Sequence, residues 1–367
     1  MQEPSIIVNI PETNSKNYPI YINNDKISNL KKELDNITQN QKRLIVISEK
    51  VYKLYNKELN FDKKELFILK DGEDKKTIKT FEKIINKAIK LKLSRKDIII
   101  AIGGGVAGDM AGFAAASYMR GIEFIQVPTT LLACVDSSVG GKTAIDMPSG
   151  KNYIGAFYQP KAVYINLNFL KTLDEKQYKS GFGEILKYAF IEKNCIREEF
   201  YNLFEILKNH VSDYEKRDDE FLHKIIKICL ELKSSVVIQD EKEGGLRKVL
   251  NFGHTFGHAL EEATKYKRYT HGLGVVYGMM YVFNFAYQNG FCDKKYYDNA
   301  FTLMNIYGYE PDKFLFINKK KVIQLMNSDK KADNNIITFI LPTTCGEVVE
   351  YKVEDSSKLK LDRKSVV

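Results

Sequence analysis

Three of the five histidines in this chain fall within eighteen residues of one another, at His254, His258 and His271. Imidazole is the commonest side-chain metal ligand and titrates close to neutrality, so the cluster suits metal binding or proton transfer. His254 and His258 are four apart, which puts both on one face of a helix. Their run, Asn251-Phe-Gly-His-Thr-Phe-Gly-His258, lacks the glutamate of H-E-x-x-H, which argues against a zinc protease. An open catalytic metal site takes about three protein ligands, often with a carboxylate among them. His271 and a distant Glu or Asp complete such a set. His210 and His223 have no comparable context and read as surface or helix-packing residues.

A second dense stretch lies upstream. Gly103-x-Gly105-x-x-Gly108 follows an apolar run and precedes an Ala-rich one. Small residues at that spacing let backbone N–H groups approach a pyrophosphate, with the helix N-terminus adding partial positive charge. A standard dinucleotide fold also wants an acid after the next strand, where this chain has Pro128-Thr129-Thr130. The arrangement is therefore a variant. Gly140-Gly141-Lys142-Thr143 resembles the end of a P-loop, but position 136, which needs glycine, is Asp136, so an ATPase is excluded. What remains is a lysine on a glycine-rich turn beside Asp136, Ser137 and Ser138, which suits a polar ligand. A phosphate cradle and an imidazole cluster in one chain point to a nucleotide-using, metal-dependent enzyme.

These groups need a scaffold. Short β-branched runs at 44–48, 66–69, 97–102, 124–127 and 163–166 read as strands. A three-and-four spacing of apolar residues at Ile78, Phe81, Ile84, Ile85 and Ala88 predicts a helix over 77–92, and another follows the glycine loop over 106–118. Strands alternating with helices imply a parallel α/β sheet. From Asp174 the apolar residues keep a helical period, as at Phe221, Ile225, Ile228, Leu232 and Val236, and no proline occurs between Pro160 and Pro311. We expect an α/β nucleotide-binding domain over 1–173 and a mainly α-helical domain over 174–360, with one short strand at 336–341. The run Met279–Phe285 reads as core.

The 367 residues allow a large core, and the formal charge of +9 comes mostly from lysine, with only eight arginines. Such a charge favours anionic partners without choosing among them. It is not gathered into a stripe and no recognition motif appears, which disfavours a nucleic-acid-binding protein. Five widely spaced cysteines without C-x-x-C imply reduced thiols and a cytoplasmic protein. The N-terminus lacks the basic head and apolar run of a signal peptide. The two most apolar stretches, 98–119 and 273–289, carry glycines and polar residues and do not read as membrane spans.

Several longer motifs carry a resemblance. They are Asp71-Gly-Glu-Asp-Lys-Lys76, Gly103–Asp109, Ser117-Tyr-Met-Arg-Gly121, Gln126–Ala133, Val135–Ala144, Gly150-Lys-Asn152, Gly183-Glu-Ile-Leu-Lys-Tyr188, Leu250–Ala259 and Asp329-Lys-Lys331. Over about residues 44–350 the chain resembles the 3-dehydroquinate synthase family of sugar phosphate cyclases. The resemblance implies an N-terminal Rossmann-like NAD-binding domain with a parallel sheet, a helical C-terminal domain, and a site in the cleft between them. It implies NAD contacts from Asp71, Gly72, Glu73, Asp74, Lys75 and Lys76, and from Gly104, Gly105, Val106, Ala107, Gly108 and Asp109. Thr129, Thr130, Lys142, Lys151, Phe169, Leu170, Lys171 and Thr172 complete that set. A divalent metal, zinc or cobalt, is implied at Glu184, His254 and His271, which leaves His258 to acid–base work with Glu243. Catalytic and substrate contacts are implied for Arg120, Asp136, Lys142, Asn152, Lys187, Lys233, Arg247, Asn251 and one or both of Lys330 and Lys331.

The family converts 3-deoxy-D-arabino-heptulosonate 7-phosphate to 3-dehydroquinate and phosphate in the shikimate pathway, and is commonly homodimeric. NAD oxidises the C5 alcohol, phosphate leaves by β-elimination, the hydride returns, the ring opens and an aldol step closes the carbocycle. The residue types suit this. Lysine and arginine match phosphate and carboxylate, and an imidazole moves protons near neutrality. This chain departs from the family's usual pattern at Lys70, where proline is common, at Ser48-Glu49 on the adenosine side, and at Leu273-Gly274, where Glu-Ala is usual. The alternatives are another sugar phosphate cyclase and a metal-dependent polyol or glycerol phosphate dehydrogenase.

Overall fold

The protein is described here from a computed structural model, over residues 17–39, 41–195, 200–310, 319–328 and 337–353. Lys330 and Lys331 lie outside the described residues.

The first half is built on six strands: β1 (Ile20–Asn23), β2 (Arg43–Ser48), β3 (Leu66–Leu69), β4 (Ile98–Gly103), β5 (Glu123–Pro128) and, after a hairpin, β8 (Ala162–Asn166). They form one sheet in the order β1-β8-β5-β4-β2-β3, and every pair is parallel. Helices α1 (Leu30–Thr38), α2 (Glu49–Leu59), α3 (Ile78–Lys90) and α4 (Gly105–Ser117) join them. The inner strands β2 and β4 are buried along their whole length, as β-branched runs covered on both faces must be. Ile84, Ala88, Met110 and Ala114 pack on one face, and Leu30, Leu34 and Val51 on the other.

From β2 the chain steps outward to β3, then crosses back to β4 on the other side. The strand order therefore reverses between β2 and β4, and such a crevice is where open parallel sheets take ligands. Ser48 ends β2 and Gly103 ends β4. A Cβ on Gly103 would lie 3.2 Å from that of Ser48 and 2.7 Å from that of Ala107, so glycine lets strand, strand and helix converge.

Two features escaped the sequence pattern. β1 is a partly buried edge strand of four residues, too short to show a period. Between β5 and β8 an antiparallel hairpin, β6 (Lys142–Met147) and β7 (Gly150–Phe157), stands outside the sheet and packs on α4. Gly112 permits this, since a Cβ there would lie 2.5 Å from Thr143 Cγ2. Gly140 and Gly141, with φ of 103° and 69°, make the turn into the hairpin, so Lys142 opens a strand.

After the short α5 (Asn168–Lys171) the chain is helical: α6 (Glu175–Ile191), α7 (Leu203–Asn209), α8 (Val211–Lys216), α9 (Asp219–Gln239), α10 (His254–Ala263), α11 (His271–Gln288), α12 (Lys294–Ile306) and α13 (Lys319–Ser328). Asp174 and Asp218 cap α6 and α9 by accepting from the backbone N–H groups of Gln177 and Phe221. α11 is apolar all round because it is the central helix, buried by its neighbours. No helix among the described residues is long and apolar enough to cross a membrane. The expected single strand near 336–341 is one arm of a hairpin, β9 (Ile337–Thr344) and β10 (Glu347–Val353). The partner arm was missed because its outward residues alternate with only Val348 and Val353 buried.

Candidate active site

The helical half brings its chemistry together by close helix packing. Glu184 lies on α6, His254 opens α10 and His271 opens α11. Each stands next to a glycine at a contact no Cβ could enter. A Cβ on Gly183 would lie 2.4 Å from Gly272 O, and one on Gly272 would lie 1.7 Å from Ser180 O. One on Gly253 would lie 2.6 Å from Val275 O. The three helices therefore meet backbone to backbone, and the neighbouring side chains converge. His271 Nε2 lies 3.3 Å from Glu184 Oε1, and His254 Nε2 lies 3.6 Å from the same oxygen.

His258 is close by, its ring centroid 5.3 Å from that of His254, and one ring nitrogen from each of the three histidines falls within 4.8 Å of the others. Two ligand sets are thus near at hand, three imidazoles or two imidazoles with Glu184. Glu184 is wholly buried, and neither carboxylate oxygen accepts a well-formed hydrogen bond. The ammonium of Lys187, one turn along α6, ion-pairs with it without closing that gap. A buried carboxylate left so is costly, and a cation between it and the two Nε2 atoms would satisfy it. His258 is exposed and has no such need. The donor set of one carboxylate and two imidazoles fits a divalent transition metal.

Electrostatics bind the cluster further. Burial pushes the Glu184 carboxyl up, but Lys187, His271 and His254 outweigh it and hold it at about 2. Burial pushes His271 down, but Glu184 and Glu261 outweigh it and lift the imidazole to about 10. His254 falls well below the ordinary histidine range through burial. Behind Glu184, Lys187 reaches toward Asp136 (3.8 Å), which pairs with Lys233 at 2.8 Å and accepts from Tyr188 OH at 2.8 Å. Burial opposes ionisation of Asp136, yet two ammonium groups keep it well below the usual carboxylate range. Lys233 is pulled down by burial, with Lys187 and Arg247 adding to it. Two carboxylates and two ammonium groups thus share an almost dry pocket.

A cavity of about 560 Å³ joins this cluster to the sheet. It is lined by His271 and Glu261 from the helical half and by Ser48, Lys50 and Tyr55 from the sheet half. Gly104, Gly105, Val106 and Ala107 also line it, with Thr129, Thr130, Asp71, Gly72, Glu73, Lys151, Phe169 and Thr172. α4 begins there without a side-chain cap, so its first N–H groups open onto the cavity. A Cβ on Gly104 would lie 3.0 Å from Thr130 Cγ2. This arrangement suits a pyrophosphate. At Ser48-Glu49, Ser48 Oγ caps α2, and Asp71 Oδ2 accepts from Lys50 N at 2.9 Å.

Other residues of the expected dinucleotide set do not line this cavity. Asp74 and Lys75 pair with each other at the surface. Lys76 and Asp109 form a buried pair beneath it, where burial raises Asp109 to about 6 against the pull of Lys76. Gly108 packs on Gln126, Leu170 is buried in the helical core, and Lys171 pairs with Asp219 at 3.0 Å. Lys142 pairs instead with Glu243, which also accepts from Asn251 Nδ2 at 3.2 Å. Asn152 accepts from Lys76. Arg247 is buried and donates to the carbonyls of Gly140 and Glu241, so it clamps the hairpin turn to the loop after α9. Arg120 is not brought to this chain's site. It is exposed after the C-terminal end of α4, whose N-terminal end faces the cavity, and thirteen residues of helix span about 20 Å. His210 stacks on Phe221 and hydrogen-bonds Ile206 O through Nδ1, and His223 is exposed.

Sequence reasoning missed Glu261, Tyr188 and Tyr55. Glu261 sits seven residues after His254, on the same helical face, which was a usable signal. Its carboxylate lies 3.0 Å from His271 Nδ1.

The profile of 3-dehydroquinate synthase N-terminal domains matches residues 66–180, and that of the C-terminal domains matches 181–332. The chain belongs to the 3-dehydroquinate synthase family. The 3-dehydroquinate synthase of Thermoanaerobacter sp. (strain X514) is 40% identical over 352 residues, covering 94% of this chain and 97% of that protein. Among solved structures, a 2-deoxy-scyllo-inosose synthase complexed with carbaglucose-6-phosphate, NAD+ and Co2+ superposes with a TM-score of 0.77 at 26% identity, over 90% of this chain and 91% of the other. The 2-epi-5-epi-valiolone synthase ValA of Streptomyces hygroscopicus subsp. jinggangensis 5008, with NAD+ and Zn2+ bound, shares the fold with a TM-score of 0.80 at 21% identity, over 96% and 97%. The family gives the expected Rossmann-like parallel sheet and helical second half their common frame.

Proposed function

We propose that this chain is a 3-dehydroquinate synthase, an NAD- and divalent-metal-dependent carbon–oxygen lyase. It takes 3-deoxy-D-arabino-heptulosonate 7-phosphate to 3-dehydroquinate and phosphate. The observation that carries this is one cavity lined both by the glycine loop and by His271, whose Nε2 and that of His254 face one buried carboxylate. NAD would lie along the cavity with its pyrophosphate at Gly104–Ala107 and exchange a hydride with the substrate, while a metal held by Glu184, His254 and His271 would polarise the substrate alcohol.

The chain's own residues do the rest. Lys187 keeps Glu184 ionised and, with Lys233, keeps Asp136 ionised, so the floor of the site carries fixed, compensated charge. Lys142, half exposed, supplies a cationic group for the substrate's phosphate or carboxylate, while buried Arg247 holds the turn that presents it. Lys142 pairs with Glu243, and Asn251 donates to that carboxylate, so an entering anion would trade places with Glu243 on the lysine. His258, exposed beside the metal ligands, exchanges protons with substrate and solvent. All five cysteines are free, which agrees with a cytoplasmic enzyme. The family reading adds a homodimer acting on a small phosphorylated sugar acid.

The test is a phosphate-release assay with the heptulosonate phosphate, zinc or cobalt, and catalytic NAD. The expected result is many turnovers per NAD, no accumulation of NADH, and loss of turnover with chelator. Stoichiometric NADH would indicate a polyol or glycerol phosphate dehydrogenase instead, and turnover only with other sugar phosphates would indicate a sister cyclase.

A further inference from the structure

Each imidazole assigned to the cation has its second nitrogen already engaged. His254 Nδ1 lies 3.1 Å from Phe252 O, within its own chain turn. His271 has no backbone carbonyl at its Nδ1. It meets the carboxylate of Glu261 at 3.0 Å. A neutral imidazole carries one N–H, and the acceptor at Nδ1 decides that Nε2 keeps the lone pair. In both rings Nε2 is thereby turned toward Glu184, where a cation would take its lone pair.

Glu261 is 5% exposed, near the C-terminal end of α10. Room for its side chain is kept by Gly274 on α11, where a Cβ would lie 3.2 Å from both Cγ and Oε1 of Glu261. The imidazole of His271 stands between Glu261 and Glu184, with one nitrogen toward each. Glu261 therefore acts on the ring from behind and is not itself a ligand.

The geometry points to Glu261 as a positioning residue for the cation: through its bond to Nδ1 it fixes the tautomer and orientation of His271 and strengthens Nε2 as a ligand. This rests on the metal site proposed above. Groups in this place commonly change metal affinity by about 10–100-fold when removed.

The test uses the full-length protein with Glu261→Gln and Glu261→Ala. Zinc affinity is read by competition with a chromophoric chelator, and the visible spectrum is read with cobalt loaded. NAD affinity and the thermal unfolding of the metal-free protein are measured beside them. Glu261→Ala is expected to weaken zinc about 10–100-fold and shift the cobalt bands; Glu261→Gln, which keeps an acceptor without its charge, should weaken it about tenfold. Should Glu261→Ala not fold, the isosteric Gln variant decides. Zinc affinity within about twofold of the parent in the Gln variant and in any folded Ala variant would overturn the role. A parent protein that binds neither zinc nor cobalt would instead overturn the metal site itself.

Discussion

The two halves of this site are made of different material. At the sheet, the binding surface is main chain: glycines at the ends of strands and an uncapped helix start. In the helical half, it is side chain: carboxylates and ammonium groups from α6, α9 and α10 packed nearly dry, with less buried imidazoles from α10 and α11 beside them. The first needs space kept clear. The second needs opposite charges kept together, because any one of them left alone in that pocket is costly. Substitutions should therefore fail in different ways in the two places.

The largest effect is expected from Glu184→Ala. It removes the shared partner of Lys187, His254 and His271. Breaking such a buried set costs about 3–5 kcal/mol, seen as a lower denaturant midpoint, and metal analysis should find almost none retained. Full metal content would break the contrast. Next comes Gly272→Ala, whose Cβ would sit 1.7 Å from Ser180 O and force α6 and α11 apart. Overpacking of this kind costs about 3 kcal/mol or more, and zinc affinity should fall with it, although no ligand has changed.

Gly105→Ala sharpens the other side. Its Cβ would meet only the Ser137 side chain, with Oγ at 3.2 Å and Cβ at 3.7 Å, so folding should be almost untouched. NAD binding by calorimetry should weaken roughly tenfold, equivalent to about 1.4 kcal/mol, with metal content unchanged. The smallest effect on the site is expected at Asp97, remote from both halves. Its carboxylate accepts from Ser94 N, Ser94 Oγ and Lys42 N, and these bonds outweigh burial and lower its pKa. A lowered carboxyl stabilises the fold above its unfolded pKa, and that contribution is lost as pH falls through the folded value. Asp97→Asn should cost about 1–2 kcal/mol at neutral pH, with the gap to the parent closing in acid and both ligands bound as before.

The same contrast explains what could be read from the sequence. Five of the six sheet strands (β2, β3, β4, β5 and β8), α3, α4 and the glycine loop are local patterns, and each stands within a few residues of where it was expected. His254 and His258 looked like a ligand pair because four-residue spacing is visible in one dimension. That Glu184 faces His254 and His271 depends on glycines at three helix crossings, and no periodicity reports a crossing. Family resemblance supplied that triad. Lys142 read as a turn residue because its two glycines hid the hairpin behind them. Arg120 sat inside a motif run, yet its place follows from the direction of α4, which carries it away from the cavity. Leu170 and Lys171 were carried along with their neighbours Phe169 and Thr172, but in a helix residues three apart share a face and the two between them turn away from the cavity.

The most direct test of the account is a crystal grown with zinc and NAD, with an anomalous difference map at the zinc edge. The account predicts one strong peak about 2.0–2.2 Å from a Glu184 oxygen, His254 Nε2 and His271 Nε2, with the nicotinamide at that end of the same cavity. A peak held by His254, His258 and His271 without Glu184, or a dinucleotide bound outside the cavity, would contradict it.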